Sequence, residues 1–293
     1  MPKSVGSAVD QSVERLVSRV QTRLAGFDNP RKEAIELVAA LLDVPKHWPL
    51  LHANKWVELP TWGAALRAAT RRARGAPLAY AVRRANFRNL TLDVDERVLI
   101  PRPETELLVD LVLSRRRTGI VVDVGTGSGA IAIALATEGS YERVIATDIS
   151  TDALDVARRN AERYASNIAF RQGDLLQAIG DSDSDRRQAD VVVCNPPYIS
   201  FAEIEELPAN VRDWEPMIAL LSGRNGLAAT ARVVRQAGAT LESGGLLALE
   251  VDARRASLAA ELVSTDGRYR DISVHLDLAG RERFVLATRM EQA

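Results

Sequence analysis

The sequence is short of the residues that build covalent and metal frameworks. It has one cysteine, Cys194, which excludes an intrachain disulfide and makes a reducing cytoplasm the expected compartment. It has three histidines, His47, His52 and His275, at positions that match no zinc-ligand spacing, so no metal is expected. His47 and His52 read as surface or packing residues. No apolar run approaches the length of a membrane span. The opening stretch, MPKSVGSAVDQSVERLVSRV, has no apolar signal core, and Asp10 and Glu14 argue against an organelle transit peptide. No internal repeat is visible. DSDSDRR at 181–187 reads as a charged loop without an assigned function.

What is present suits one large globular domain or two smaller ones: 293 residues, 46% hydrophobic and 26% charged. The net charge of −1 hides an asymmetry. Residues 1–90 carry 15 Lys and Arg against 7 Asp and Glu, a net of +8; the remainder carries 23 against 32, a net of −9. A basic N-terminal part suits either a solvated helical surface or contact with an RNA-rich partner such as the ribosome.

Residues 9–80 have helical periodicity. VERLVSRVQTRLAG ends at Gly26. FDNPRKEAIELVAALLDV has Asn29 as an N-cap and Pro30 at the first helical position. TWGAALRAATRRARG offers Thr61 as a cap and Gly75 as a stop, and Trp48, Trp56 and Trp62 are expected to pack within this bundle. The period then changes. FRNLTLDVDERVLI predicts a β-hairpin turning at DVDE. PRPETELLVDLVLS follows as a helix, with Glu104 and Glu106 where a helix N-terminus favours negative charge.

From residue 119 strands alternate with helices: GIVVDV, RVIATDI, IAFRQ, ADVVVC and GGLLALEV against AIAIALATE, TDALDVARRNAERYA and LAATARVVRQAGATLES. That order predicts a parallel sheet covered on both faces. The closing RDISVHLDLAGRERFVLATRM predicts an antiparallel hairpin at one sheet edge, turning at Ala279-Gly280. The expected fold is therefore α/β: a seven-stranded, doubly wound, mostly parallel sheet with a small N-terminal helical domain. The expected parts are a helical domain at 1–85, a hairpin linker with PRPETE at 86–110, and a catalytic domain at 111–293.

The chemistry lies where strands end. VVDVGTGSGAIAIALA runs from a strand through Gly125, Thr126, Gly127, Ser128 and Gly129 into a helix. Without β-carbons a ligand can approach the main chain closely. The Gly-x-Gly-x-Gly spacing is not that of dinucleotide binders, and no Lys-Ser/Thr follows, so the loop suits a nucleoside better than a pyrophosphate. Asp148 ends the next strand, nineteen positions past Gly129, where a carboxylate can accept both ribose hydroxyls. Its alternative role, capping the following helix, falls more naturally to Ser150 or Thr151. Asp174 ends the third strand and can meet an adenine amino group, with Leu175 against the ring.

The fourth strand stops at Asn195-Pro196-Pro197-Tyr198. The prolines stiffen the backbone and carry no N–H. Asn195 adds a side-chain carbonyl and an NH₂. Together they form a cradle for a planar NH₂, with Tyr198 against its face.

The glycine loop, Asp148 and NPPY together resemble class I S-adenosylmethionine-dependent methyltransferases that act on a planar nitrogen. GAPLAY (75–80), RVLIPRPETELLVD (97–110), VRDWEPMIALLSGRNGL (211–227) and DLAGRERFVLA (277–287) extend the resemblance over nearly the whole chain to the HemK-type release-factor glutamine methyltransferases. The resemblance implies S-adenosylmethionine as cofactor. It implies methylation of the glutamine amide in the Gly-Gly-Gln motif of peptide chain release factors. Asn195 and Pro196 would hold that amide. Asn195, Pro196 and Tyr198 are the catalytic candidates, and Pro197 joins them in binding substrate. Gly125, Thr126, Gly127, Ser128, Gly129, Asp148, Asp174, Leu175 and Asn195 are the cofactor candidates. The chain departs from the family pattern at Asn86, at Asp252 and at Leu175. Three other readings stay open: a nucleic-acid amino methyltransferase, a ribosomal-protein glutamine methyltransferase, and a scaffold of this fold without turnover. A nicotinamide dehydrogenase fits worst, because the glycine spacing is wrong. No membrane association is expected, and the chain is expected to be a monomer.

Overall fold

The computed structural model describes residues 11–164, 167–179, 189–223 and 225–291. The charged stretch 181–187 lies outside them. The chain divides into two compact units, Met1–Arg84 and Ala85–Ala293.

The first unit is helical: α1 (Val13–Arg23), α2 (Pro30–Leu42), α3 (Trp48–Leu51), α4 (Leu59–Ala73) and α5 (Leu78–Val82). Apolar residues at helical spacing in α1, Val13, Leu16, Val17 and Val20, are buried against Leu37 and Val38 of α2. Ala65, Ala68 and Ala69 give α4 a small-residue face that lets it pack closely. Asn29 caps α2 as expected, accepting a bond from the Lys32 N–H at 3.0 Å. Thr61 does not cap α4. The helix begins two residues earlier, with Glu58 at the N-cap and Pro60 in the first turn, so Thr61 lies inside it. Trp48 and Trp62 pack on the core, and the Trp48 ring stacks on His52 at 4.2 Å. Trp56 does not: it is 64% exposed. Its segment pairs with Ser12 in an extended bridge, and the two-residue alternation of an extended chain buries Val57 and turns Trp56 outward.

The second unit opens with a hairpin, β1 (Arg84–Phe87) and β2 (Leu90–Asp93). It turns at Arg88-Asn89 rather than at DVDE. Tertiary charge pairing decides the turn. The Arg88 N–H donates to Glu106 at 3.0 Å, and its guanidinium is clamped by Glu138 at 2.6 and 2.7 Å and by Asp110 at 2.8 Å. Arg88 sits at φ 54°, a left-handed conformation that this clamp holds. DVDE instead begins at Asp93, the last residue of β2, and runs on into the segment where Asp95 holds Arg97.

Next come α6 (Pro103–Arg115), β3 (Thr118–Val124), α7 (Ala130–Glu138), β4 (Ser140–Asp148), α8 (Thr151–Arg163), β5 (Ile168–Gln172) and β6 (Ala189–Cys194). Short helices α9 (Ala209–Arg212) and α10 (Met217–Leu220) precede α11 (Ala228–Thr240), β7 (Leu241–Glu250), α12 (Ala256–Asp266), β8 (Tyr269–Leu276) and β9 (Glu282–Arg289). The sheet is seven-stranded, ordered β5-β4-β3-β6-β7-β9-β8. Strands β3 to β7 run parallel, and β9 is antiparallel to both β7 and β8. The closing hairpin forms as expected, with β9 next to β7 and β8 at the edge.

Two cores flank the sheet. Val121, Val144 and Val191 face α6 and α7; Val122, Ile145 and Val192 face α11 and α12. Burial on both faces explains why the central strands read as unbroken apolar runs. The order reverses between β3 and β6, so the chain leaves the carboxyl ends of these two neighbours toward opposite sides. That opens a crevice where ligands of open α/β sheets bind.

Candidate active site

The carboxyl ends of β3, β4 and β6 bring the glycine loop, Asp148 and NPPY together. One cleft is bordered by Gly125, Gly127, Asp148, Asp174, Leu175 and Asn195. A second hollow is bordered by Asn195, Pro196, Tyr198, Leu99 and Arg102. Asn195, Leu99 and Ala219 belong to both.

The glycine loop is fixed from below. The Gly125 and Thr126 N–H groups donate to the Thr147 carbonyl at 2.8 and 2.9 Å, which ties the end of β3 to β4. Gly125 and Gly127 have φ of 72° and 55°. A β-carbon added at either would meet no protein atom within 4 Å. These two glycines therefore leave a space open beside the main chain. Gly129 differs. A β-carbon there would press on Ile133 at 3.1 Å and Ala157 at 3.2 Å, so this glycine serves the packing of α7 on α8. The Thr126 hydroxyl turns inward and donates to Asp123 at 2.7 Å, and the buried Ser128 gives its carbonyl to the Asn160 amide at 2.9 Å.

Asp148 is held by the backbone. One carboxylate oxygen accepts from the Gly127 N–H and the other from the Ser150 N–H, each at 2.9 Å. Burial raises its pKa, and these N–H bonds oppose the rise. Each oxygen keeps a further lone pair for a ligand. The capping role passes to Ser150, whose hydroxyl accepts from the Ala153 N–H at 3.2 Å. Asp174 borders the cleft, and Arg232 of α11 donates to one of its oxygens. Leu175 beside it has φ 56°, a costly conformation for a residue with a β-carbon, which makes the abrupt turn at the cleft wall.

The NPPY rim is held differently. After Tyr198 the chain pairs with 220–223: the Ile199 N–H donates to the Leu220 carbonyl and the Ser222 N–H to the Ile199 carbonyl, both at 2.8 Å. Among the described residues no hydrogen bond takes up the Pro196 carbonyl. The Asn195 amide Nδ2 donates to the Thr105 hydroxyl at 3.2 Å, and that hydroxyl donates to Glu250 Oε2 at 2.7 Å. Thr105 lies in the first turn of α6, and Glu250 ends β7. Burial pushes the Glu250 carboxyl up to about 7, against the pull of the Thr105 hydroxyl and of Arg283. Tyr198 is half-buried, and burial raises its phenol above its ordinary value. Arg102 is anchored by buried Glu215 at 2.7 Å, and the Ile100 N–H also donates to Glu215 at 3.4 Å.

Thr105, Glu250, Arg102, Glu215 and Asp123 were not among the sequence candidates. A signal existed for two of them. Asp123 interrupts the apolar VVDV, and Glu250 ends the apolar GGLLALE; an acid in a run that must be buried needs a partner. Burial drives the Asp123 pKa to about 7, opposed by bonds from Thr126 and the Ala132 N–H.

A family described as the methyltransferase small domain matches residues 103–208, and one described as the PrmC N-terminal domain matches residues 15–82. The release factor glutamine methyltransferase of Moorella thermoacetica is 37% identical, covering 97% of this chain and 98% of its own length. That of Streptomyces coelicolor is 36% identical, covering 96% of each. A methyltransferase structure from Pyrococcus furiosus shares the fold at a TM-score of 0.52, with 17% identity over 70% of this chain and 91% of its own. The catalytic domain of hMettl16, solved with an RNA hairpin, does so at 0.53, with 17% identity over 80% of this chain and 83% of its own. No helix among the described residues is long and apolar enough to cross a membrane. The two matched families, the near full-length relatives and the doubly wound fold agree: this chain belongs to the release factor glutamine methyltransferase family.

Proposed function

We propose that the chain methylates the side-chain amide nitrogen of the Gly-Gly-Gln glutamine of a peptide chain release factor, with S-adenosylmethionine as donor. One observation carries this reading: Asn195 borders both the glycine-loop cleft and the hollow at Pro196 and Tyr198. A donor on one side and a planar NH₂ on the other share that residue.

The cleft fits the cofactor. Gly125 and Gly127 leave the space that β-carbons would fill, Asp148 keeps acceptor capacity for ribose hydroxyls, and Asp174 with Leu175 offers an acceptor and an apolar wall for adenine. When bound, S-adenosylmethionine supplies an electrophilic methyl on a sulfonium.

The chain's own task is to present a poor nucleophile. An amide nitrogen delocalises its lone pair into the carbonyl. A carboxylate is far too weak a base to deprotonate a neutral amide. Asn195 Oδ1 and the Pro196 carbonyl instead accept the two N–H bonds of the substrate amide and fix its plane. Those bonds strengthen as positive charge grows on the nitrogen, so they favour the transition state over the ground state. Tyr198 covers the planar face as a neutral phenol, and the extra proton leaves to water.

In this reading the helical unit contributes to substrate recognition. The enzyme works as a cytoplasmic monomer, and its basic N-terminal part suits an encounter with a ribosome-associated release factor. The test is transfer of labelled methyl to three substrates in parallel: a purified release factor, the same factor with its Gly-Gly-Gln glutamine changed to alanine, and bulk nucleic acid. Label on the first alone is expected. Label on nucleic acid would move the chain to amino methylation of bases. No label on any, with cofactor binding intact by calorimetry, would overturn the release-factor assignment.

A further inference from the structure

An Asn side chain is nearly symmetric in shape but not in chemistry. One end accepts, and the other donates. An NH₂ to be methylated needs the accepting end. In this chain the choice is made away from the cleft.

Glu250 is 1% exposed and ends a strand between two covered faces. As a carboxylate it can only accept, so the Thr105 hydroxyl must donate to it, at 2.7 Å. A hydroxyl has one proton. With that proton committed, Thr105 Oγ1 can only accept toward Asn195, and it meets Nδ2 at 3.2 Å. The opposite orientation would set Asn195 Oδ1 lone pair to lone pair against Thr105 and leave a buried acceptor unmade. We infer that Glu250 and Thr105 are positioning residues that fix the polarity of the Asn195 amide, so that Oδ1 faces the nitrogen to be methylated. The inference rests on the reading of Asn195 as the acceptor for that nitrogen.

The relay has a built-in condition. It needs Glu250 ionised, and burial places that carboxyl at about 7. The charges around it come from every side. Arg102 and Glu104 lie at the start of α6 and Arg283 on β9, while two titratable but uncharged groups complete the surroundings, the Cys194 thiol at the end of β6 and the Tyr198 phenol in the loop that follows. When Glu250 takes a proton it can donate to Thr105. The Thr105 proton is then free to turn toward Asn195, and the flipped amide becomes acceptable. Turnover should therefore fall as pH drops through about 7, and this limb should belong to Glu250.

The experiment has two readouts on the full chain. The first is kcat and KM on a purified release factor across pH, with cofactor affinity by calorimetry. Thr105→Val, which keeps the shape and loses the hydroxyl, should lower kcat about 10-fold to 100-fold with cofactor affinity kept, the range for losing one buried hydrogen-bond partner. Thr105→Ser should restore most of it. Glu250→Gln, whose carbonyl can still accept from Thr105 but cannot titrate, should abolish the acid limb. The second readout is the Asn195 side-chain NH₂ resonance in ¹⁵N-labelled protein, assigned by its loss in Asn195→Ala. It should titrate in the parent near pH 7 and in neither Thr105→Val nor Glu250→Gln. An NH₂ signal that does not titrate in the parent, an acid limb that survives in Glu250→Gln, or a folded Thr105→Val with parental kcat would each overturn the inference. The resonance needs no methyl transfer. A titrating signal without label on any release factor would therefore sink the functional reading alone.

Discussion

The two rims of the cleft are built to different rules. On the cofactor side, Asp148 takes its bonds from main-chain N–H groups of Gly127 and Ser150, and the glycine loop is pinned to the Thr147 carbonyl. Short sequence signals fix this part of the rim, and its main-chain donors survive any substitution but proline; Asp174, held by the Arg232 side chain, is the exception. On the substrate side, Asn195 is held by Thr105, 90 positions away, and Thr105 by Glu250, 145 positions away. Arg102 depends on Glu215, 113 positions away. That rim is a side-chain network whose members must all be present. A backbone-held rim suits a constant ligand, whereas a side-chain network can set a direction and respond to protonation.

The same difference decides what the sequence discloses. The glycine loop, Asp148 and NPPY are legible because each lies at the end of an apolar strand, and the alternation of strands with helices sends those ends to one edge. Thr105 and Glu250 are not legible as a pair, since nothing local says that the first turn of α6 meets the end of β7. The hairpin turn at Arg88 fails for the same reason. DVDE is the better local turn, but Glu106, Asp110 and Glu138 hold Arg88 from other elements. Trp56 is hidden from composition: a large aromatic in a helical region reads as core, but the extended bridge to Ser12 turns it outward.

The sharpest way to break the comparison is to remove the polar side chain of Asn195, which borders both hollows. Asn195→Ala should cost roughly 2–4 kcal/mol in kcat, as loss of one preorganised polar group does, with a smaller loss of cofactor affinity because Asn195 also borders that cleft. Near-parental turnover in a folded variant would mean that the network holds nothing the reaction uses. The cofactor side should answer with the opposite split. Asp148→Ala should weaken S-adenosylmethionine by about 1.5–3 kcal/mol, the range for hydrogen bonds to a charged group, and leave kcat at saturation closer to parental. Calorimetry decides this one, and an unchanged dissociation constant would remove Asp148 from the ribose.

The smallest effects sharpen the comparison within one rim. Gly127 and Gly129 both have positive φ, 55° and 84°, so an alanine at either costs about 1 kcal/mol in backbone strain. They part in what the new methyl meets. At position 129 it presses on Ile133 and Ala157 inside the fold; at position 127 it stands free in the cleft. Gly129→Ala should therefore show mainly as a lower denaturation midpoint. Gly127→Ala should show mainly as weaker cofactor binding, beyond what its own small loss of stability explains. Equal shifts of midpoint and affinity in the two variants would mean that the loop works as a single turn, with no division between a glycine that packs the helix and glycines that make room for a ligand.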